Sequence, residues 1–387
     1  MKTHLMFLSF AISLIPPVFA KGGAPEGSTP PIDPPAVKNR VQVALLLDTS
    51  NSMDGLIDQA KTQLWKVVNT FTDARRDGEA PQVEVALYEY GNNNLSVENQ
   101  WVRQVQPLTR DLDSLSKSLF ALKTNGGDEY CGAVIQRSLA DLKWDESKDT
   151  YKVIFIAGNE PFTQGSVDAR KACRDAAGKG VVVNTIHCGN REEGMSGSWH
   201  DGAALAGGKF MVINQDRAVV SIPSPQDKPI AELSMELNKT YLGYGKARAE
   251  GAARQAEADK DASAQEASGA HVQRAVAKAS ANYSNTAWDL VDAAKAKKVD
   301  IATLPADQLP PAMRELKPEE RAAFVEKAAK ERAAIQEKIV ALNREREAFV
   351  AEEMKKRAQE TGEKTLDQAL VETTREQATA RGYKFNP

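Results

Sequence analysis

Between Val41 and Tyr241, short apolar runs alternate with stretches in which apolar residues return every three or four positions, and no other feature narrows the fold as far. Val41–Leu47 is almost wholly apolar, as a strand covered on both faces has to be. Ile57, Ala60, Leu64, Val67 and Phe71 follow at helical spacing and mark one face of a helix. Both signals recur: strands over Val83–Tyr90, Val153–Ala157, Val181–His187 and Phe210–Ile213, and helices over Leu112–Leu122, Asp168–Ala177, Trp199–Ala206 and Ile230–Tyr241. Trp101–Val105 alternates with polar residues, which suits an edge strand. Strands alternating with helices predict an α/β fold with a doubly wound, mostly parallel six-stranded sheet. Right-handed crossovers gather the loops that follow its strands at one edge, where ligands of such folds bind. Chemistry is therefore sought first in Asp48–Met53, the loop after the first strand.

That loop reads Asp48-Thr49-Ser50-Asn51-Ser52. A carboxylate and two hydroxyls at alternate positions can converge as the chain turns from strand to helix. Oxygen-only ligands suit a hard divalent cation, Mg²⁺ first, with Mn²⁺ or Ca²⁺ as alternatives. Neutral hydroxyls add no charge, so the ion would keep a position for an outside carboxylate or water. The plain alternative is helix capping, with Asp48 or Ser50 accepting from free backbone amides.

The segment LLLDTSNSMDGL resembles the first metal-site loop of von Willebrand factor type A (VWA) domains, known as the metal-ion-dependent adhesion site (MIDAS). The order of elements from Val41 to Tyr241 is similar to that Rossmann-like fold. The stretches YEYGN, TNGGDEYCG, IFIAGNEPFTQG and NTIHCG resemble exported bacterial VWA proteins. The resemblance implies that Asp48, Ser50 and Ser52 form the first metal loop. Two departures follow. The family offers a threonine from a second loop, where this chain has Glu129, with Asp128 a second candidate. A third loop usually carries an aspartate, where this chain has Gly158; Asn159 or Glu160 would then substitute, directly or through water.

The flanks are of other kinds. Residues 1–20 have the pattern of a secretory signal peptide: Lys2 as basic head, a mostly apolar Leu5–Val18, and Val18-Phe19-Ala20 before a cut after Ala20. A membrane anchor is the alternative, against which stand a short run and the Pro16-Pro17 break. Residues 21–37, rich in Pro and Gly, read as a linker to an α/β domain over 38–245. With no later segment long and apolar enough to span a bilayer, the expected location is periplasmic or secreted. Cys131, Cys173 and Cys188 allow at most one internal disulfide there, and spacing does not choose it.

Residues 246–317 read as an alanine- and charge-rich helical region, with a turn at Pro305–Pro311. In the last segment, 318–387, Ala328, Ile335, Leu342 and Phe349 recur every seven residues and predict a helix from about Pro318 to Arg357. Such a seam belongs to a solvated helix or to a short coiled coil that docks a partner or a second copy.

Fifty basic residues against 53 acidic ones give no electrostatic case for nucleic acid as a partner. The function class expected is metal-dependent protein interaction, with a partner that presents an Asp or Glu carboxylate, and not catalysis. A metal-dependent hydrolase of the haloacid dehalogenase type would need a second acid where Ser50 stands. A Cys–His nucleophile from His187, Cys188 and His200 is the other catalytic alternative. A helical, chaperone-like envelope protein with a vestigial metal loop is the third reading. Trp65, Trp101 and Trp144 are expected to pack in the core or at its edge.

Overall fold

β1 (Arg40–Asp48) holds the centre, and every one of its residues after Arg40 is buried. The computed structural model describes residues 39–213, 221–361 and 366–385; the signal peptide and linker expected at 1–37 lie outside the described residues. β1 is followed by α1 (Asp54–Asn69), β2 (Ala74–Arg75), β3 (Gln82–Tyr90), β4 (Val102–Thr109), α2 (Leu112–Phe120), α3 (Cys131–Asp141) and β5 (Tyr151–Gly158). Then come α4 (Ala169–Gly178), β6 (Val181–Cys188), α5 (Arg191–Ser196), α6 (Trp199–Leu205) and β7 (Phe210–Ile213).

The main sheet is six-stranded in the order β4-β3-β1-β5-β6-β7. β4 is antiparallel to β3, and the other neighbours are parallel. Alternate residues of β1 face opposite layers. Val41, Val43, Leu45 and Leu47 meet α1 and α2, while Ala44 and Leu46 meet α3, α4 and the start of α6. Each of these Val and Leu side chains gains roughly 1.5–3 kcal/mol from burial. Ile57 and Phe71 of the expected α1 face are buried, and Ala60 packs partly against them; the side chains of Leu64 and Val67 lie outside the described residues. The edge strand starts one residue later than its alternation suggests and runs on to Thr109. Helix α3 was not legible in the strand–helix pattern, although Val134, Ile135, Leu139 and Leu142 stand at helical spacing and are buried.

The second half is helical: α7 (Asp227–Asn238), α8 (Arg248–Ala264), α9 (Ala270–Ala279), α10 (Leu290–Lys295), α11 (Pro318–Thr361) and α12 (Leu366–Thr379), with β8 (Lys384–Phe385) last. Leu370, Ala378 and Tyr383 enter the same apolar core as Val41 and Phe71. β8 pairs antiparallel with β2. Gln377 exchanges amide hydrogen bonds with Asn184 at 3.0 and 2.8 Å and accepts one from Tyr151 Oη at 2.7 Å. The seven-residue seam of α11 packs within the chain: Ile339 is fully buried beside α7 and α9, with Ile335 and Leu342 next to it, and Val325 lies against α10.

Buried charges tie the helical half to α2. Arg274 of α9 pairs with Asp113 of α2 at 2.7 Å and with Asp259 of α8 at 2.7 Å, and its guanidinium lies 4.8 Å from the Trp65 ring. Tyr283 Oη donates to the other Asp113 oxygen at 2.6 Å. Removing one partner of such a pair strands a charge out of water. Asp113→Ala should therefore cost about 3–5 kcal/mol in denaturant unfolding, and Asp113→Ala with Arg274→Met should recover part of that loss. Equal instability of the single and double variants would show that the pair is not what couples the two halves.

Candidate metal centre

Asp48 ends β1 with its side chain wholly buried. One oxygen, Oδ1, accepts from the Ser50 amide at 2.7 Å, which bends the loop back over the strand end. The other, Oδ2, is buried without a hydrogen-bond partner. Ser50 Oγ and Ser52 Oγ stand 3.4 Å apart. Neither serine caps α1: the short 3₁₀ turn Asn51–Met53 and the helix start without side-chain cap bonds. The hydroxyls are thus left over for something other than backbone amides.

The second loop is pinned to the first. Asn125 N donates to Thr49 O at 2.9 Å, and Asn92 Nδ2 donates to Thr49 O at 3.3 Å and to Lys123 O at 2.8 Å. Asn93 N donates to Gly126 O at 2.7 Å. This lacing sets the buried Glu129 beside Asp48, and Glu129 Oε2 also lacks a partner. Gly91 makes the approach possible. Its φ is +78°, and a β-carbon there would stand 2.7 Å from Glu129 Cγ and 2.9 Å from Asp48 Oδ1. Asp128 turns to solvent, with Tyr130 Oη donating to it at 3.5 Å.

From the third loop, Asn159 Nδ2 donates to Ser52 Oγ at 3.2 Å, and Asn159 Oδ1 is buried and unpartnered. Glu160 is exposed at the rim, close enough for its charge to act on both buried carboxyls. Gly158 leaves room for a neighbour. A β-carbon at that position would stand 2.5 Å from Tyr90 Oη and 3.0 Å from Asp48 Oδ2. Tyr90 Oη fills this place and donates to Ala157 O at 2.9 Å. Tyr90, Gly91 and Asn92 lie in the YEYGN stretch that carries the resemblance, but the sequence assigns them no role at the site.

Burial pushes Asp48 and Glu129 well above the ordinary carboxylate range. The Asp48 charge raises Glu129 further. Two carboxyls this close and this dry cannot both ionise unless a cation joins them. Hard oxygen donors, unpartnered acceptor atoms on three loops and crowded carboxyls all fit a divalent ion of the Mg²⁺ or Ca²⁺ kind.

A family model for the von Willebrand factor type A domain matches residues 42–195. The chain carries a VWA domain. VWA domains are typically interaction modules that bind a divalent cation at the MIDAS. No match is found among curated proteins. Solved structures similar to this chain include proximal thread matrix protein 1 from the mussel byssus with a zinc-occupied MIDAS motif, at 14% identity and a TM-score of 0.36 over 46% of this chain. The chain spans 43% of that mussel protein. BatB from Bacteroides thetaiotaomicron aligns at 18% identity and a TM-score of 0.33, over 45% of this chain and 90% of its own. The SpRpn10 VWA domain aligns at 18% identity and 0.34, over 44% and 87%.

Around the VWA metal loops the remaining candidates disperse. His187 and Cys188 are consecutive in β6 and so face opposite sides of the sheet; His187 lies 5.7 Å from the Trp199 ring, and Cys188 sits in the other core layer. His200 is exposed. Cys131 and Cys173 share one core layer and Cys188 lies across the sheet, all three as free thiols. Trp65 is core, Trp101 lies edge-on to Tyr130 at 5.3 Å, and Trp144 Nε1 donates to Ser138 O at 2.9 Å.

The crowding at position 158 sets a test. Gly158→Asp should destabilise the protein by about 1–3 kcal/mol through overpacking. Tyr90→Phe in the same chain should relieve part of that loss, because it removes the atom in the way. Thermal unfolding of the parent and the two variants decides it: a Gly158→Asp protein as stable as the parent would mean that the slot is not filled as described.

Proposed function

We propose that this chain is an exported protein that holds one divalent cation, Mg²⁺ first, between Asp48, Ser50, Ser52, Glu129 and Asn159, and uses it to grip a carboxylate on a protein partner. The observation that carries this reading is the set of orphaned acceptors: Asp48 Oδ2, Glu129 Oε2 and Asn159 Oδ1 are buried without partners at the edge where three loops meet. Glu129 takes the part of the second-loop threonine, and its charge replaces that of the aspartate absent at Gly158. Glu160, exposed at the rim, would act through water or on the approaching partner. Asp128 falls outside the set, since it faces solvent. Self-association through the seam of α11 would require that helix to leave its packing on α7, α9 and α10.

The bound ion would supply a positive centre with a position left for an outside oxygen. The chain's own residues keep that centre dry, fix the serine hydroxyls and hold the two carboxyls together. Calorimetric titration of Mg²⁺, Mn²⁺ and Ca²⁺ into the full chain tests the reading. Binding should vanish in Asp48→Ala, weaken by about tenfold or more in Glu129→Ala, and persist in Asp128→Ala. No heat with any ion, or equal binding by Asp48→Ala, would end it. A pull-down from envelope extract with and without chelator then tests the grip on a partner, which should be lost with the chelator.

Export rests on the Lys2 head, the apolar Leu5–Val18 and the Val18-Phe19-Ala20 cut. Among the described residues no helix is long and apolar enough to cross a membrane. The protein recovered from its native compartment should begin at Lys21 by N-terminal sequencing; a chain that still begins at Met1 would contradict export by this route.

A further inference from the structure

Along the flank of α11 a groove of about 1270 Å³ runs between this helix, the loop over 280–288, α10 and the end of β4. Its α11 wall carries Ala322, Ala329, Ala333 and Ala341, side chains too small to fill it. The same wall holds Glu326, Glu337 and Arg344, all exposed. Buried Val325 borders the groove, while the inward-packing seam of the same helix, with Ile335, Ile339 and Leu342, lies on another side. Asn285 lines the groove and is more than nine-tenths buried. Its Oδ1 accepts from Trp288 Nε1 at 3.2 Å, but its Nδ2 amide has no partner. A large groove with small-residue walls and an unused donor at its base fits an inserted helix that brings an acceptor.

The charges on the wall say which helix. Glu326 and Arg344 stand equally far either side of Ile335, and so do Ala329 and Ala341. A second α11 laid antiparallel across that midpoint sets each Glu326 against the other copy's Arg344. It also sets Ala329 against Ala341, where small side chains let the backbones approach. Ala333 then faces Glu337 of the other copy, a carboxylate of the kind Asn285 Nδ2 lacks. Among the described residues, Glu326 pairs with exposed Lys330 at 2.7 Å and Arg344 with the half-buried Asp73 at 3.7 Å, both at the surface of α11. Such pairs contribute little, so exchanging them for partners on a second copy costs little.

We propose that the chain forms a symmetric dimer in which each α11 lies antiparallel in the groove of the other, with Glu326 and Arg344 paired across the axis. The interface is isologous, as closed dimers require, and leaves the metal loops of both copies free.

Sedimentation equilibrium of the full chain tests it. The expected mass is twice that of one chain. Glu326→Arg and Arg344→Glu should each weaken dimerisation by about tenfold or more, because the two-fold axis makes two misplaced charge pairs of each substitution. The double variant E326R/R344E should return to within about threefold of the parent. Ala329→Cys with Ala341→Cys should give a disulfide-linked dimer on mild oxidation, and Ala329→Cys alone should not; the three native cysteines are buried and do not compete. A folded chain that stays monomeric at every concentration would overturn the proposal, as would a double charge swap no better than either single one. Cross-linking of Ala329→Cys alone would overturn the antiparallel register.

Discussion

Two carboxyl groups held together away from water govern this molecule's working edge. Asp48 is fixed by the end of a strand buried on both sides, and Glu129 by a loop laced to Thr49 through asparagine side chains. Nothing in the apolar core needs them there. Their proximity is a cost to the ion-free fold, because desolvation and mutual repulsion both disfavour the charged forms. A cation bound between them, as proposed, would offset that cost. The same strain explains the glycines around the pair: Gly91 and Gly158 leave the space that the carboxyls and the Tyr90 hydroxyl occupy.

On the proposed reading, the charge of the metal loops is distributed differently from the family's usual set. The acid expected on the third loop is absent, and a tyrosine hydroxyl from the neighbouring strand stands in its place. The acid appears instead on the second loop, where a neutral hydroxyl is usual. On that reading a carboxylate so placed would meet a bound ion from the second loop instead of the third.

The sheet was legible in the sequence because burial on both faces writes itself as unbroken apolar runs, as at Val41–Leu47 and Val153–Ala157. Asp48, Ser50 and Ser52 were legible because their spacing is local. Glu129 could be nominated but not separated from Asp128, since the choice depends on Gly91 and Asn92, which lie far away in sequence. Helix α3 was hidden by the polar, glycine-rich loop before it, although its apolar spacing was regular. The seam of α11 showed correctly that a long helix exists, but a seven-residue repeat does not say whether the surface it meets is another chain or its own. The tie between Arg274 and Asp113 had no signal at all, because two charged residues so far apart are indistinguishable from solvated ones until the fold joins them.

β8, among the last of the described residues, pairs back with β2 in the first half of the α/β layers. Tyr383 seals the lower end of the core, beneath Arg76 and against the backbone of Arg40. Tyr383 and Arg40 stand 343 positions apart in sequence, so closing this end of the core rests on a contact of very long range, the kind whose loop-closure cost slows folding. A cut that released Leu370–Tyr383 would uncover the apolar residues of the cluster they complete, Val41 and Phe71 among them.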